Sequence, residues 1–401
     1  MRDEPVSQDP PDRGGNAAPS HCQGGIYVHV PFCLKKCPYC DFYSITDLSL
    51  KDAYLSALKK EMALTGPVPF KFDTLYMGGG TPSVLDTGQI ARIMQSFWKN
   101  FSVKKECEIT IEVNPGTVSL QDFQDFRRAG VNRINIGVQS FQDENLKFLG
   151  RIHSAAEAEK ALGNARSAGF DNIGLDLMYG LPGQTADAWQ KDLQQAVSHG
   201  PRHLSCYMLS YEDGTVMDHD RQRGRFMPLP DQQTGELFEL TMAFLEDNGI
   251  LQYEISNYAD SPETRSRHNL KYWRFDPYLG FGPGAHSFTD PQRFWNYRDI
   301  HKYISLLNQG RRPMAGQETL DRDQQMMETI YLGLRTTDGI DLPDFEDRFG
   351  IRFAETFAEL IRKFTHCGFL TNIADQCRLT RRGMLMLDSI AGMFVKNIPE
   401  E

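Results

Sequence analysis

Gly25-Ile-Tyr27-Val-His29-Val-Pro-Phe-Cys33-Leu-Lys-Lys-Cys37-Pro-Tyr39-Cys40 carries the reading of the whole chain. Residues 26–30 are a short β-branched run between a glycine and a proline, the pattern of a buried strand. The strand runs straight into a loop bearing three thiols, with three and then two residues between them. A compact loop of that spacing aims three thiolates at one small object. A cubic [4Fe–4S] cluster has four irons, so three thiolates leave one iron free for another ligand. A zinc ion held by the three cysteines and a histidine such as His29 is the other chemistry the loop allows.

Outward from the loop, short apolar runs alternate with longer segments of helical period, the signature of a parallel sheet with crossover helices. Strands are expected at residues 26–30, 74–77, 108–113, 133–138, 173–178 and 203–208, with helices at 50–64, 87–101, 119–129, 155–168 and 186–198. Polar groups stand just past several strands: Cys33, the glycine run 78–81, Asn114 and Gln139. The carboxyl ends of such strands carry the site in α/β folds. The expectation is an α/β fold, a partial (β/α)6 barrel over residues 25–212.

Past residue 212 the alternation stops. An aromatic-rich linker and cover region is expected over 213–320, and a helical, winged-helix-like α+β domain over 321–401. Residues 1–24 combine Pro5, Pro10, Pro11 and Pro19 with Asp3, Glu4, Asp9 and Asp12. They lack an apolar signal core and an Arg-rich transit pattern, so they read as a disordered tail on a cytoplasmic protein with reduced thiols. Eight cysteines in 401 residues are too few and too unevenly placed for a disulfide scaffold. Cys22, Cys107, Cys206, Cys367 and Cys377 have no metal-like spacing and read as small hydrophobes or tolerated surface thiols. No apolar run reaches the roughly 18 residues of a membrane span, so no stable membrane insertion is expected. Lys+Arg of 43 against Asp+Glu of 53 leaves a net charge of −10, which argues against nucleic acid as a partner, Arg381-Arg382 notwithstanding.

The C-x-x-x-C-x-x-C spacing, with aromatic Tyr39 before the third cysteine, resembles the radical S-adenosylmethionine (SAM) superfamily. The resemblance implies a [4Fe–4S] cluster on Cys33, Cys37 and Cys40, whose open iron binds the amino and carboxylate groups of SAM. It also implies SAM contacts from Gly79, Gly80 and Thr81, with Glu112 on the ribose and Tyr27 packed near the ligand. The Gly78-Gly-Gly-Thr-Pro82 run lacks the Gly-Lys-Ser/Thr ending of a phosphate-binding P-loop.

Val138-Gln139-Ser-Phe141, Gly150-Arg151-Ile-His153, Gly174-Leu-Asp176 and Tyr179-Gly-Leu-Pro-Gly183-Gln-Thr185 are similar to one branch of the superfamily. That branch holds the oxygen-independent coproporphyrinogen dehydrogenases and the haem chaperones related to them. In the dehydrogenases, residues matching Tyr39, Gly80, Thr81, Gln139, Arg151, Asp176 and Ser210 hold a second SAM. The dehydrogenase pattern also has a fourth cysteine two positions past the third, where this chain has Phe42. His268-Asn-Leu-Lys-Tyr272-Trp273 matches the H-N-x-x-Y-W element associated with haem in the chaperone group.

The chemistry of that element is coherent. A neutral imidazole ligates haem iron, aromatic rings offer flat apolar surface, and Arg265 or Arg267 could meet the propionates. On a helix, His268 and Tyr272 share a face. His286 and His29 are further candidate ligands. The expected function is therefore haem binding and delivery to an acceptor apoprotein. Coproporphyrinogen dehydrogenation, or a two-SAM reaction such as radical methylation, is the alternative.

Overall fold

A computed structural model describes residues 23–373 and 375–399. Six parallel strands follow in sequence order, β1 (Gln23–Val30), β2 (Lys71–Gly79), β3 (Val103–Val113), β4 (Arg133–Gln139), β5 (Ile173–Tyr179) and β6 (His203–Met208). Helices α1 (Lys51–Leu64), α2 (Thr87–Asn100), α3 (Leu120–Arg128), α4 (Asp143–Phe148), α5 (Ala155–Ser167) and α6 (Ala186–Ser198) fall between them. The expected partial barrel is present. The tail expected over 1–24 lies, up to and including Cys22, outside the described residues, while Gln23 and Gly24 already pair with Lys71 and Phe72.

A period of two explains why the strands curl around a polar interior. Ile26, Val28, Leu75, Met77, Ile109, Ile111, Ile134, Ile136, Leu175, Leu177 and Leu204 are fully or almost fully buried. The alternate positions are polar. Tyr27, Tyr76 and Thr110 lie in register across β1, β2 and β3, and Glu112 pairs with Asn135 across β3 and β4. The barrel's lumen is thus lined by groups able to hold a polar ligand.

The region expected to be a linker and cover is woven into the same sheet. Two helices, α7 (Val216–Gln222) and α8 (Asp231–Asp247), lead to β7 (Leu251–Gln252) and β8 (Asn257–Ala259), and β8 lies antiparallel to β6. Helix α9 (Arg267–Trp273) packs against β1 and β2. At the other edge β9 (Tyr278–Phe281) runs parallel to β1, followed outward by β10 (His286–Thr289), β11 (Gln292–Asn296) and β12 (Met314–Thr319). Helix α10 (Ile300–Asn308) lies against α1. These strands have two to six residues and no β-branched run, so they left no strand signal.

The chain ends in a smaller unit: α11 (Arg322–Leu334), β13 (Ile340–Asp341), α12 (Leu342–Phe349), two short helices α13 (Phe353–Thr356) and α14 (Ala358–His366), a hairpin β14 (Leu370–Ile373) and β15 (Gln376–Leu379), and helices α15 (Arg381–Met384) and α16 (Leu387–Val395). The hairpin pairs with β13 in the order β13-β15-β14. Helices around a small three-stranded sheet, with α16 packed on α11, make an α+β unit.

One buried acid fastens the β9 edge to the barrel. Glu61 of α1 accepts hydrogen bonds from Gly282 N–H (2.9 Å), Tyr303 Oη (2.6 Å) and Asn296 Nδ2 (2.5 Å). Burial raises its pKa to about 7 against those three donors. The folded state therefore binds this proton more tightly than the unfolded chain. Stability falls as pH rises from the ordinary carboxyl range to about 7 and levels off above it. Glu61→Gln should flatten that decline, by on the order of 1–3 kcal/mol across the window. A series of urea midpoints from about pH 5 to about pH 8 checks it; an unaltered slope would place the proton elsewhere.

Candidate active site and aromatic cavity

The cysteine loop is fixed at both ends before its sulfurs are placed. Cys33 N–H donates to Ile45 C=O (2.9 Å) and Ile45 N–H to Pro31 C=O (2.7 Å). The glycine run crosses it closely, with Gly80 N–H donating to Val30 C=O (2.9 Å) and Thr81 N–H to Phe32 C=O (2.7 Å). A Cβ on Gly80 would stand 2.8 Å from both Val30 and Phe32 carbonyl oxygens, so only glycine allows this crossing. On the far side Gly150, at φ +67, turns against Pro38, and a Cβ there would stand 2.6 Å from the proline Cδ.

Two donors address the sulfurs. Thr81 Oγ1 donates to Cys33 Sγ (3.4 Å), and Arg151 Nη1 lies 3.7 Å from Cys37 Sγ and 3.5 Å from Tyr39 Oη. The hydroxyl and the guanidinium are hydrogen-bond donors aimed at the sulfurs of the loop. Among the described residues no three His, Cys, Asp or Glu side chains stand close enough to share a single metal ion.

Beside this loop a polar cavity is lined by Gly80, Thr81, Glu112, Asn114, Gly137, Gln139, Arg151 and Asp176. Gln139 has φ +69, a backbone state an L-residue adopts only where its surroundings impose it. Asp192 of α6 imposes it here, accepting from Ser140 Oγ (2.7 Å) and Phe141 N–H (2.8 Å) just past Gln139. Asp176 accepts from Asn135 Nδ2 (2.7 Å), but its Oδ1 is buried without a partner, as is Arg151 Nε. Orphaned buried polar atoms cost about 1–3 kcal/mol each unless something satisfies them. Carboxylates, amide, guanidinium and close backbone form a donor and acceptor set that fits an adenosyl and amino-acid ligand next to three cysteines.

Glu112 closes the polar cavity on one side. Its carboxylate accepts from Tyr76 Oη (2.8 Å) and Gly79 N–H (3.3 Å). Burial, and then the Asp176 carboxylate, raises its pKa to about 7.

Behind Glu112 lies a second cavity of about 450 Å³ with a different lining: Tyr27, His29, Phe42, Tyr43, Tyr76, Tyr207, His268, Tyr272, Tyr278, His286 and Arg298 among others. Phe42 is 65 % exposed at its rim. His268 and Tyr272 share a face of α9 as expected, and His268 Nε2 hydrogen-bonds Tyr272 Oη (2.9 Å) while Nδ1 hydrogen-bonds Thr74 Oγ1 (2.8 Å). Burial, and then Lys271 and Arg133, lowers the His268 pKa to about 3, so the ring is neutral.

Comparison with known proteins matches the radical SAM superfamily over residues 27–196 and the HemN C-terminal domain over 320–386. The heme chaperone HemW of Bacillus subtilis is 35% identical over 376 residues, covering 92% of this chain and 98% of the relative. The chain belongs to the HemW haem-chaperone family. HemW of Escherichia coli is 34% identical, covering 92% of this chain and 97% of its own. The solved structure of coproporphyrinogen III oxidase (HemN) from Escherichia coli, a radical SAM enzyme, superposes with a TM-score of 0.80 at 25% identity, over 94% of this chain and 91% of that one.

This HemW-family site gathers most of the expected residues and sorts them in two. Gly80, Thr81, Glu112, Gln139, Arg151 and Asp176 line the polar cavity. Tyr27 and Gly79 line the aromatic one instead, with Glu112 common to both. Tyr39 packs beside Leu149, Met178, Leu181, Leu209 and Met217 with its hydroxyl near Arg151. Ser210 is exposed beyond β6 and lines neither cavity.

The expected haem-facing surface is split. Trp273 turns away from His268 and packs with Leu270, Tyr253 and Ala259, with the Arg335 guanidinium 4.5 Å over its ring. Neither expected propionate partner reaches the cavity: Arg267 Nη2 donates to the Asp73 and Glu106 carbonyls, and Arg265 pairs with Asp338. Arg298, which sequence reasoning passed over, lines the cavity and donates to Asp41 C=O (2.8 Å). Tyr43, Tyr76, Tyr207 and Tyr278 were also missed. Tyr76 and Tyr207 sit at the lumen-facing alternate positions of their strands, a signal the period of two contained.

Gly150→Ala tests the packing of the Arg151 turn on the cysteine loop. Backbone strain of roughly 1–2 kcal/mol and overpacking of about 1–3 kcal/mol should lower the urea midpoint. Full stability in the variant would show that Pro38 yields at no cost.

Proposed function

We propose that the chain binds haem and passes it to an acceptor apoprotein in the cytoplasm, carrying a [4Fe–4S] cluster on Cys33, Cys37 and Cys40 and binding SAM. The observation that carries this reading is the open aromatic cavity next to the cysteine loop, with Phe42 at its rim where the dehydrogenase pattern has a fourth cysteine. Membership in the HemW family supports it. No helix among the described residues is long and apolar enough to cross a membrane, and the net charge of −10 suits no nucleic-acid partner.

The protein's part in this function follows from the two cavities. Thr81 and Arg151 donate hydrogen bonds to the sulfurs of Cys33 and Cys37 and so orient them. Gly80, Gln139, Arg151 and Asp176 hold SAM, and Glu112 accepts from its ribose hydroxyls once ionised. When bound, the cluster supplies an open iron for the amino and carboxylate groups of SAM. The near-parallel rings of Tyr27, Tyr76 and His268 give the second cavity a neutral aromatic wall for a porphyrin, with Tyr272 set edge-on to His268. Its open rim leaves an edge of the ligand in reach of an acceptor. Directional delivery needs only that haem affinity differ between two states of the chaperone.

An anaerobic haemin titration of the cluster-reconstituted chain, followed in the Soret band, should show saturable one-to-one binding. Absence of binding, with turnover of a coproporphyrinogen instead, would make the chain a dehydrogenase. Cys37→Ala should lose most iron and acid-labile sulfide; undiminished content would remove that residue from the ligand set.

SAM affinity supplies an independent check of the polar cavity. Glu112→Gln should weaken SAM binding by on the order of tenfold, the worth of a hydrogen bond to a charged group. Calorimetry on the reconstituted chain reads this directly, and equal affinity in variant and parent would free Glu112 of that role.

A further inference from the structure

The aromatic cavity is lined by three imidazoles, and the hydrogen-bond geometry separates them. Ligation of haem iron needs a ring nitrogen whose lone pair is not already engaged. His29 is buried with Nδ1 3.2 Å from Tyr27 Oη and Nε2 2.8 Å from Tyr43 C=O. His268 is 1 % exposed with Thr74 on one nitrogen and Tyr272 on the other. Freeing either ring would strip it of a buried partner and would break the local packing that shapes the cavity.

His286 differs in every respect. It opens β10, its side chain is exposed at the cavity wall, and neither ring nitrogen has a hydrogen-bond partner among the described residues. The ring direction is nonetheless set, because the cross-strand neighbour Trp295 stacks on it at 5.7 Å between centroids and 21° between planes. Its backbone is held too. Asn296 N–H donates to Ala285 C=O (3.0 Å), and Gly280 passes so near the His286 carbonyl that a Cβ there would stand 2.1 Å from it. Partial burial, and then the Arg293 and Arg298 cations, lowers the pKa and keeps the imidazole neutral and able to ligate.

We infer that His286, rather than His268, is the protein's axial ligand to haem iron, with the porphyrin seated between the β10–β11 hairpin and Phe42 and with Arg298 meeting a propionate. The inference rests on the haem-binding reading above and deepens it. His268 and Tyr272 are positioning residues in this arrangement: bonded to each other, they form the floor against which the macrocycle rests. Arg298 serves as the cationic anchor for a propionate because its guanidinium lines the cavity and carries further N–H groups beyond those turned to Asp41, whose carbonyl it bonds and whose carboxylate lies 3.7 Å away.

The test is the haemin titration on the reconstituted full chain, run on the parent, His286→Ala and His286→Met, with the Soret band and electron paramagnetic resonance as readouts. Parent binding at one-to-one, a loss of affinity of about tenfold or more in His286→Ala, and return of the parent spectrum on adding free imidazole would establish ligation. His286→Met should bind with a changed spectrum, since a thioether replaces the nitrogen on iron. Unaltered iron and sulfide content in both variants shows that the fold survives. Parent-like spectra and affinity in both variants, while the parent binds haem, overturn the assignment and leave the haem reading standing. Failure of the parent itself to bind saturably overturns both.

Discussion

The interior of the barrel is polar, and everything at the mouth depends on how that polarity is held. Outward positions of the six parallel strands are apolar and pack under the helices, so the alternate positions must face inward. Tyr76 bonds Glu112 and Asn135 bonds Asp176, but Arg133 Nε, Thr110 Oγ1, Asn135 Oδ1 and Asp176 Oδ1 stay buried without partners. Such a lumen is stable only because the apolar outer face is extensive. Its uncompensated donors and acceptors make it a receptor for a polar ligand at the carboxyl end of the strands.

Glu112 is where the two cavities meet. One oxygen is bonded to Tyr76, whose ring stacks near His268 at 5.2 Å, and the other receives the Gly79 N–H in the run that crosses the cysteine loop. A proton gained or lost by this carboxylate changes a hydrogen bond on each side at once. The aromatic cavity is likewise tied to the cysteine loop through Arg298, bonded to Asp41 C=O one residue past Cys40. The cysteine loop and the aromatic cavity are therefore joined through shared atoms. Coupling between two ligands requires that each change the contacts of the other, and these are the contacts available for it.

What was legible in the sequence follows from the length scale of each signal. The parallel strands showed because apolar residues recur at alternate positions along them, as Ile26, Val28 and Val30 do in β1 and Ile173, Leu175 and Leu177 in β5. The cysteine loop showed because its three cysteines lie within eight residues. The strands β7–β12 did not, because they have two to six residues each and owe their extended state to pairing with a barrel edge already formed. The facing of His268 and Tyr272 was readable from their spacing of four. Trp273 was grouped with them by motif, yet one further helical step of about 100° turns it out of the cavity. The walls of that cavity come from β1, the cysteine loop, β2, β6, α9 and the β9–β11 edge, a meeting that only the fold creates.

A carrier must hold its cargo and yet surrender it, and the character of the iron ligation decides whether both are possible. Two buried imidazoles fixed on opposite faces of the porphyrin would grip it firmly, and release would need both bonds broken before an acceptor could bind. The cavity here offers one imidazole with both ring nitrogens unbonded, on an exposed strand end, and its lining also includes an exposed phenylalanine that cannot ligate. Were His286 the single protein ligand, the remaining coordination site would be open to a ligand from an acceptor, and haem could pass across without being released free. Stacking on the aromatic wall would then hold the macrocycle while the iron ligand changed, so that affinity and transfer rate could be set by different residues of the same cavity.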